Sequence, residues 1–316
     1  MFRLGVDVGG TFIKAGVIGE DNTIVARVSV PTEADKPYKE VIGNIIRGAE
    51  LAARQAGREL ADFPCVGFGI PGLLNGRTGL VALAPNMGDW HQVPFLEEAQ
   101  KHLPIPAYVG NDANCAVIGE TLAGAARGCQ DVLLLTLGTG VGGGVIAGGR
   151  MLCGGDGMGM ELGHMTLCMN GEPCGCGHRG CIEAYCSVSS LIRDTRRAME
   201  ADPSSRMHAF AREAGLVDGR TAFECDKLGD AAAHRVVEAY TDYLSQAIGS
   251  LITCFRPQVV LIGGGLSNQG DYLTDRLNRK TPGYVMASDA IGTPPIRRAA
   301  LGNDAGMIGA AYLDRM

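Results

Sequence analysis

Short apolar runs that stop at glycines alternate along this chain with longer stretches whose apolar positions recur every three to four residues. Phe2 to Val8 is apolar and ends at Gly9-Gly10, as a buried strand meeting a tight turn does. Ile13 to Ile18 and Thr23 to Val30 predict two more strands, which together make a meander. From Tyr38 to Gly57 the residues Val41, Ile45, Ala49 and Ala52 share one helical face, and Gly57 supplies the stop. Cys65 to Ile70 and Pro106 to Val109 are short buried strands, the second leading through Asn111-Asp112 into a helix from Ala113 to Ala123.

A second unit starts near Val132. Val132 to Leu137 predicts a strand, Gly138 to Gly144 a glycine-rich turn, and Val145 to Ala147 the returning strand. This order repeats that of Leu4 to Ile18, a weak internal repeat in which few residues coincide. Helices are predicted from Ser189 to Glu200, Asp230 to Phe255 and Ala305 to Leu313, with a strand at Val259 to Ile262 running into Gly263-Gly264-Gly265. Residues 201–229 are polar and read as helical pieces with loops. Strands mixed with helices predict an α/β fold. No Pro/Ser-rich linker separates the halves, so two tightly connected lobes with a cleft between them are expected.

Composition narrows the class. At 316 residues two domains are expected. Nowhere does an apolar run reach the ~18 residues of a membrane span, and the N-terminal run is too short for a secretory signal. A net charge of -6 with no basic cluster argues against nucleic acid as a partner. The eleven cysteines lack small-scaffold disulfide spacing, which favours reduced thiols and a cytoplasmic setting. Glycine is 47 of 316 residues, about twice the usual ~7%, and the excess falls in loops.

Those loops carry candidate chemistry. Asp7-Val-Gly9-Gly10-Thr11-Phe-Ile-Lys14 joins a carboxylate, two glycines, a hydroxyl and an ammonium. Glycines let backbone N–H groups approach a phosphate, Thr11 and Lys14 add donors, and Asp7 offers the oxygen that a hydrated Mg²⁺ needs. By itself the segment is equally a hairpin turn. Gly138-Thr139-Gly140-Val-Gly-Gly143 is a second such loop. It also fits the dinucleotide fingerprint, but that fingerprint opens a helix, whereas here a strand and turn follow. Gly263 to Gly265 is a third turn, suited to a flat base and ribose. Asp112 follows a strand and opens a helix; alone it reads first as an N-cap. Beside two phosphate loops it reads as the base that accepts a hydroxyl proton in phosphoryl transfer, with Asn111 a donor and acceptor for a sugar hydroxyl.

Between Glu161 and Glu183 lie His164, Cys174, Cys176 and Cys181. One imidazole and three thiols form the donor set of a closed, structural zinc site, with His178 a competing ligand. Two acids, Glu161 and Glu183, frame the set.

Taken together, Asp7-x-Gly-Gly-Thr-x-x-Lys14, Gly69-x-Pro-Gly72, Asn111-Asp-Ala-Asn114, Leu137-Gly-Thr-Gly-x-Gly-Gly-Gly144, Glu161-x-Gly-His164 and Cys174-Gly-Cys-Gly-x-x-Gly-Cys-x-Glu183 resemble the ROK family, and within it the bacterial glucokinases. Pro85-Asn86-Met-Gly-Asp-Trp90 adds to that likeness. The resemblance implies a two-lobed actin/hexokinase-type (ribonuclease H-like) ATPase fold, with residues 1–110 and about 302–316 in one lobe and 111–301 in the other. It implies ATP with Mg²⁺ and structural Zn²⁺ as cofactors, and a homodimer or higher homo-oligomer. Asp112 would be the base for the sugar 6-hydroxyl, and Asn111, Glu161, His164 and Glu183 would bind the sugar. ATP phosphates would lie on Gly9, Gly10, Thr11, Gly138, Thr139 and Gly140, and adenosine near Gly264 and Gly265. N-acetylglucosamine and N-acetylmannosamine kinases share these motifs, as do sugar-responsive repressors. The repressors carry a DNA-binding module before the first phosphate loop, and here that loop begins at Asp7.

Overall fold

The computed structural model describes residues 1–88 and 90–315. Asp89, the acid of the Pro85–Trp90 motif, lies outside the described residues. In chain order the elements are β1 (Arg3–Val8), β2 (Phe12–Ile18), β3 (Ile24–Pro31), α1 (Tyr38–Gln55), β4 (Val66–Ile70), β5 (Leu73–Asn75), β6 (Leu80–Ala84) and β7 (Trp90–Pro94). They continue with α2 (Phe95–Gln100), β8 (Ala107–Asn111), α3 (Asp112–Leu122), β9 (Val132–Leu137), β10 (Val141–Ala147), β11 (Arg150–Met151), α4 (Glu183–Cys186) and α5 (Val188–Ala201). The remainder is α6 (Met207–Ala214), α7 (Thr221–Lys227), α8 (Ala231–Phe255), β12 (Val259–Gly263), α9 (Asp271–Lys280), α10 (Ser288–Ile291), β13 (Ile296–Arg298) and α11 (Ala305–Ala310).

Two five-stranded sheets have the same internal order, β3-β2-β1-β4-β8 and β11-β10-β9-β12-β13. In each, the third strand in sequence lies at one edge, and the first pairs with the second and the fourth. The faint sequence repeat is therefore a repeat of topology. A three-stranded sheet, β5-β6-β7, was not anticipated. Its strands are short, and β5 turns into β6 through the Gly79 N–H on the Asn75 carbonyl at 2.8 Å, so no alternation long enough to read accumulates.

Register places chemistry along one edge of the first sheet. In the antiparallel β1–β2 pair Asp7 stands opposite Lys14. In the parallel pairs Asp7 aligns with Gly69 of β4, and Gly69 with Gly110 of β8. The C-terminal ends of β1, β4 and β8 thus share one edge, the place where open α/β sheets hold ligands. Behind that edge α1 buries Val41, Ile42, Ile45, Ala49 and Ala52 in the same core as Ile13, Ala15 and Phe68. Each large aliphatic side chain so buried contributes about 1.5–3 kcal/mol. The chain's end is tied to its start, because Arg3 donates to the Ala311 carbonyl at 2.9 Å and pairs with Asp314 at 2.5 Å.

The chain divides into two compact units: Met1–Leu134, Gly144–Met160 and the stretch from Ala300 onward form the first, and Leu135–Gly143 with Glu161–Ala299 the second. In the second unit α8 buries Val237, Leu244, Ile248 and Leu251, and Asp230 caps it by accepting the Ala233 N–H at 2.8 Å. The polar stretch 201–229 forms α6 and α7. Two boundaries shift by three residues or more. β10 begins at Val141, so three glycines counted as turn lie within the strand, and α11 ends at Ala310 with a 3-10 turn after it. No helix among the described residues is long and apolar enough to cross a membrane.

Candidate functional site

In the first unit the hairpin between β1 and β2 is pinned from behind by Thr32. Its hydroxyl donates to the Gly9 carbonyl at 2.6 Å, and its N–H donates to the Thr11 carbonyl at 3.0 Å. In a trans peptide the carbonyl and the following N–H point opposite ways. Fixing the Gly9 and Thr11 carbonyls on Thr32 therefore turns the N–H groups of Gly10 and Phe12 to the other side, where Gly10 and Thr11 are exposed.

Asp7 ends this strand with its carboxylate 3.8 Å from Lys14 Nζ. Although a fifth of its side chain stays accessible, burial pushes the Asp7 carboxyl up to about 6, opposed by Lys14 and assisted by the negative charges of Asp112 and Asp304. A bound cation would favour the ionised form of Asp7 in these surroundings. Asp304 was not singled out from the sequence; it sits just before α11 and pairs with Arg27 at 2.7 Å.

At the start of α3 the cap is Asn111, not Asp112. Asn111 Oδ1 accepts the Ala113 N–H at 2.9 Å and the Asn114 N–H at 3.2 Å, and its amide donates to the Gly72 carbonyl at 3.0 Å. Asp112 is the first helical residue, with Oδ1 accepting the Ala113 N–H at 2.9 Å. Asn111 thus has its acceptor committed, and its remaining amide hydrogen is what it can offer a ligand.

The second unit carries the other glycine turns. Val188 N–H donates to the Gly138 carbonyl at 2.8 Å and Ser189 Oγ to the Thr139 carbonyl at 2.7 Å. By the same peptide geometry this turns the N–H groups of Thr139 and Gly140 away from the start of α5. Gly264 adopts φ +76°, and a Cβ there would lie 2.4 Å from the Leu137 carbonyl oxygen. The third turn therefore abuts the strand end that leads into the second.

His164, Cys174, Cys176 and Cys181 converge, with ligand atoms all within 4.8 Å of one another. His164 Nδ1 lies 3.7 Å from Cys174 Sγ, and Cys176 Sγ lies 3.7 Å from Cys181 Sγ. A tetrahedron with metal–ligand bonds of ~2.0–2.3 Å has edges of about 3.6–3.8 Å, so both separations fit a shared four-coordinate ion. A knuckle made by Cys174 N–H on the His178 carbonyl at 2.9 Å and Gly177 N–H on the Cys174 carbonyl at 3.1 Å aims the thiols inward. His178 is exposed and outside this group.

The framing acids differ. Glu161 reaches solvent, yet the surrounding protein pushes its carboxyl up, with His164 opposing and Glu183 assisting the shift. Glu183 Oε2 accepts the Val141 N–H at 3.0 Å, and its other oxygen lies 3.5 Å from Cys174 Sγ.

The ROK family profile matches residues 3–316. The chain belongs to the ROK family. Among its relatives, the glucokinase of Thermotoga maritima is 38% identical over 310 residues, covering 98% of this chain and 96% of that protein. The N-acetyl-D-glucosamine kinase of Pasteurella multocida is 32% identical over 330 residues, with 98% of each covered. A crystal structure of a ROK family glucokinase from Streptomyces griseus in complex with glucose and AMPPNP superimposes with a TM-score of 0.83 at 30% identity, covering 99% of both chains. The fold is thus the two-lobed actin/hexokinase type expected for a ROK protein.

Proposed function

We propose that this ROK protein transfers the terminal phosphoryl group of ATP to the 6-hydroxyl of a hexose, with glucose the preferred substrate. The observation that carries the reading is the meeting of Asp7, Lys14 and Asp112 at one edge of the first sheet. The full-length likeness to a glucokinase supports the choice of sugar.

In this reading Asp112 accepts the proton of the 6-hydroxyl as its oxygen bonds to the γ-phosphorus, and the bond from that phosphorus to the bridging oxygen of ADP breaks. Asp112 stands first in α3, just past the end of β8, where its charge acts on Asp7. Asp7 would hold Mg²⁺, which when bound neutralises phosphate charge. The phosphates lie against the outward N–H groups around Gly10, Thr11, Thr139 and Gly140, with Lys14 adding a charge, and the adenosine lies by Gly264-Gly265. Asn111, Glu161, His164 and Glu183 contact the sugar hydroxyls.

The ion suited to His164, Cys174, Cys176 and Cys181 is zinc, in a closed structural role. With Nδ1 directed at that site, the His164 Nε2–H is left to donate to the sugar. None of the eleven cysteines is in a disulfide, which suits a reducing cytoplasm.

A coupled ADP-release assay across glucose, mannose, fructose, N-acetylglucosamine and N-acetylmannosamine tests the reading. The highest kcat/KM should fall on glucose. A higher value for N-acetylglucosamine would move this chain to the activity of its Pasteurella relative, and no ADP release with any sugar would overturn the kinase reading.

A further inference from the structure

The geometry points to Glu183 as a positioning residue for the nucleotide's phosphate loop, in addition to any contact with sugar. Glu183 is the first residue of α4 and stands two residues past the metal-ligating Cys181. Its Oε2 accepts the N–H of Val141, the first residue of β10, at 3.0 Å. It also bears directly on the loop. A Cβ built on Gly140 would lie 2.4 Å from Glu183 Oε2 and 3.3 Å from its carboxyl carbon, and beyond its chain neighbours no other atom of the described residues comes within 4 Å. The φ of Gly140 lies outside the left-handed region, and what a side chain there would meet is the Glu183 carboxylate.

The turn from Gly138 to Val141 is thus gripped at both ends. Val188 and Ser189 hold its first two carbonyls, and Glu183 holds the N–H where the strand resumes. A carboxylate accepting a backbone N–H is among the stronger hydrogen bonds, and here it fixes the orientation of peptides whose outward N–H groups meet phosphate. Glu183 lies 42 residues from Val141 in sequence, and its carboxylate touches Cys174 Sγ. It links the metal knot to the nucleotide loop. The inference rests on the reading of this turn as the ATP phosphate loop, and its test separates the two.

The measurement is calorimetric binding of AMPPNP with Mg²⁺ to the full chain in the absence of sugar, with metal content checked for each variant. Glu183→Ala should weaken AMPPNP about tenfold, and Glu183→Gln, whose amide oxygen can still accept the Val141 N–H, should stay within about threefold of the parent. Gly140→Ala should weaken binding about tenfold by displacing the carboxylate, yet add less than about twofold in the Glu183→Ala background, because its methyl then meets nothing. If Glu183→Ala alters sugar affinity alone while Gly140→Ala still weakens AMPPNP, the positioning role is overturned and the phosphate-loop reading stands. If neither variant changes AMPPNP affinity, the loop reading falls and the inference falls with it.

Discussion

Asn111 caps α3 with its side-chain oxygen 2.9 Å from the Ala113 N–H, and its neighbour Asp112, the first helical residue, shares that donor through Oδ1 at 2.9 Å. Asp112→Asn should leave sugar affinity within about twofold while kcat falls by about 10² or more, since the amide cannot take the proton. Steady-state turnover with equilibrium sugar titration checks this; turnover near that of the parent would remove Asp112 from the role of base.

Asp7 offers a prediction with a sign. Its carboxyl titrates at about 6 in the fold against 3.8 for the ordinary group, mainly through burial. The folded chain therefore holds this proton more tightly than the unfolded one, and ionised Asp7 costs stability above pH 6, a cost that fades as pH falls through 6 towards 4. Without Mg²⁺ and ATP, Asp7→Asn should raise Tm by about 1–3 °C at pH 7.5 and give no gain at pH 4.5. The same variant should lose most activity. In the parent, kcat/KM for MgATP should decline below about pH 6 as Asp7 is neutralised. A profile flat down to pH 5 would show that Asp7 is not needed as an anion.

For the metal knot, protein purified without chelator should contain about one zinc per chain by elemental analysis. Cys181→Ser should lower that content several-fold and reduce Tm by several degrees, because the loop from Glu161 to Glu183 loses its tie. Zinc well below one per chain in untreated protein would count against the site.

Gly264→Ala should cost about 2 kcal/mol or more, since φ is +76° and the methyl would strike the Leu137 carbonyl. Denaturant unfolding measures this. A variant as stable as the parent would mean that β9 and the third turn can separate at little cost.

Much of this was legible in the sequence because glycine pairs at strand ends and thiol spacing act locally. Strand–turn–strand units at Asp7–Lys14 and Gly138–Gly140, and the cluster of one histidine and three cysteines from His164 to Cys181, sit within short windows where residue type and spacing suffice. What escaped depends on which of two equivalent groups is used, or on distant contacts. Asn111 and Asp112 are both good caps, and only backbone angles decide between them. Asp304 reaches the neighbourhood of Asp7 from the far end of the chain, and Glu183 reaches Val141 across two strands and the segment that carries His164, Cys174, Cys176 and Cys181. The sheet from Leu73 to Pro94 was missed because its strands are too short for a period to show.

The two five-stranded sheets are alike in order, but their hairpins are unlike in cargo. The first bears a carboxylate and an ammonium opposite each other, Asp7 and Lys14; the second bears glycines and a threonine, and borrows its carboxylate from Glu183 on a helix elsewhere. One hairpin works through ionic side chains, the other through its backbone. The likeness of the two sheets stops at charge, and substitutions that erase that difference, such as an acid or a lysine in the second hairpin, should be the ones the protein tolerates least.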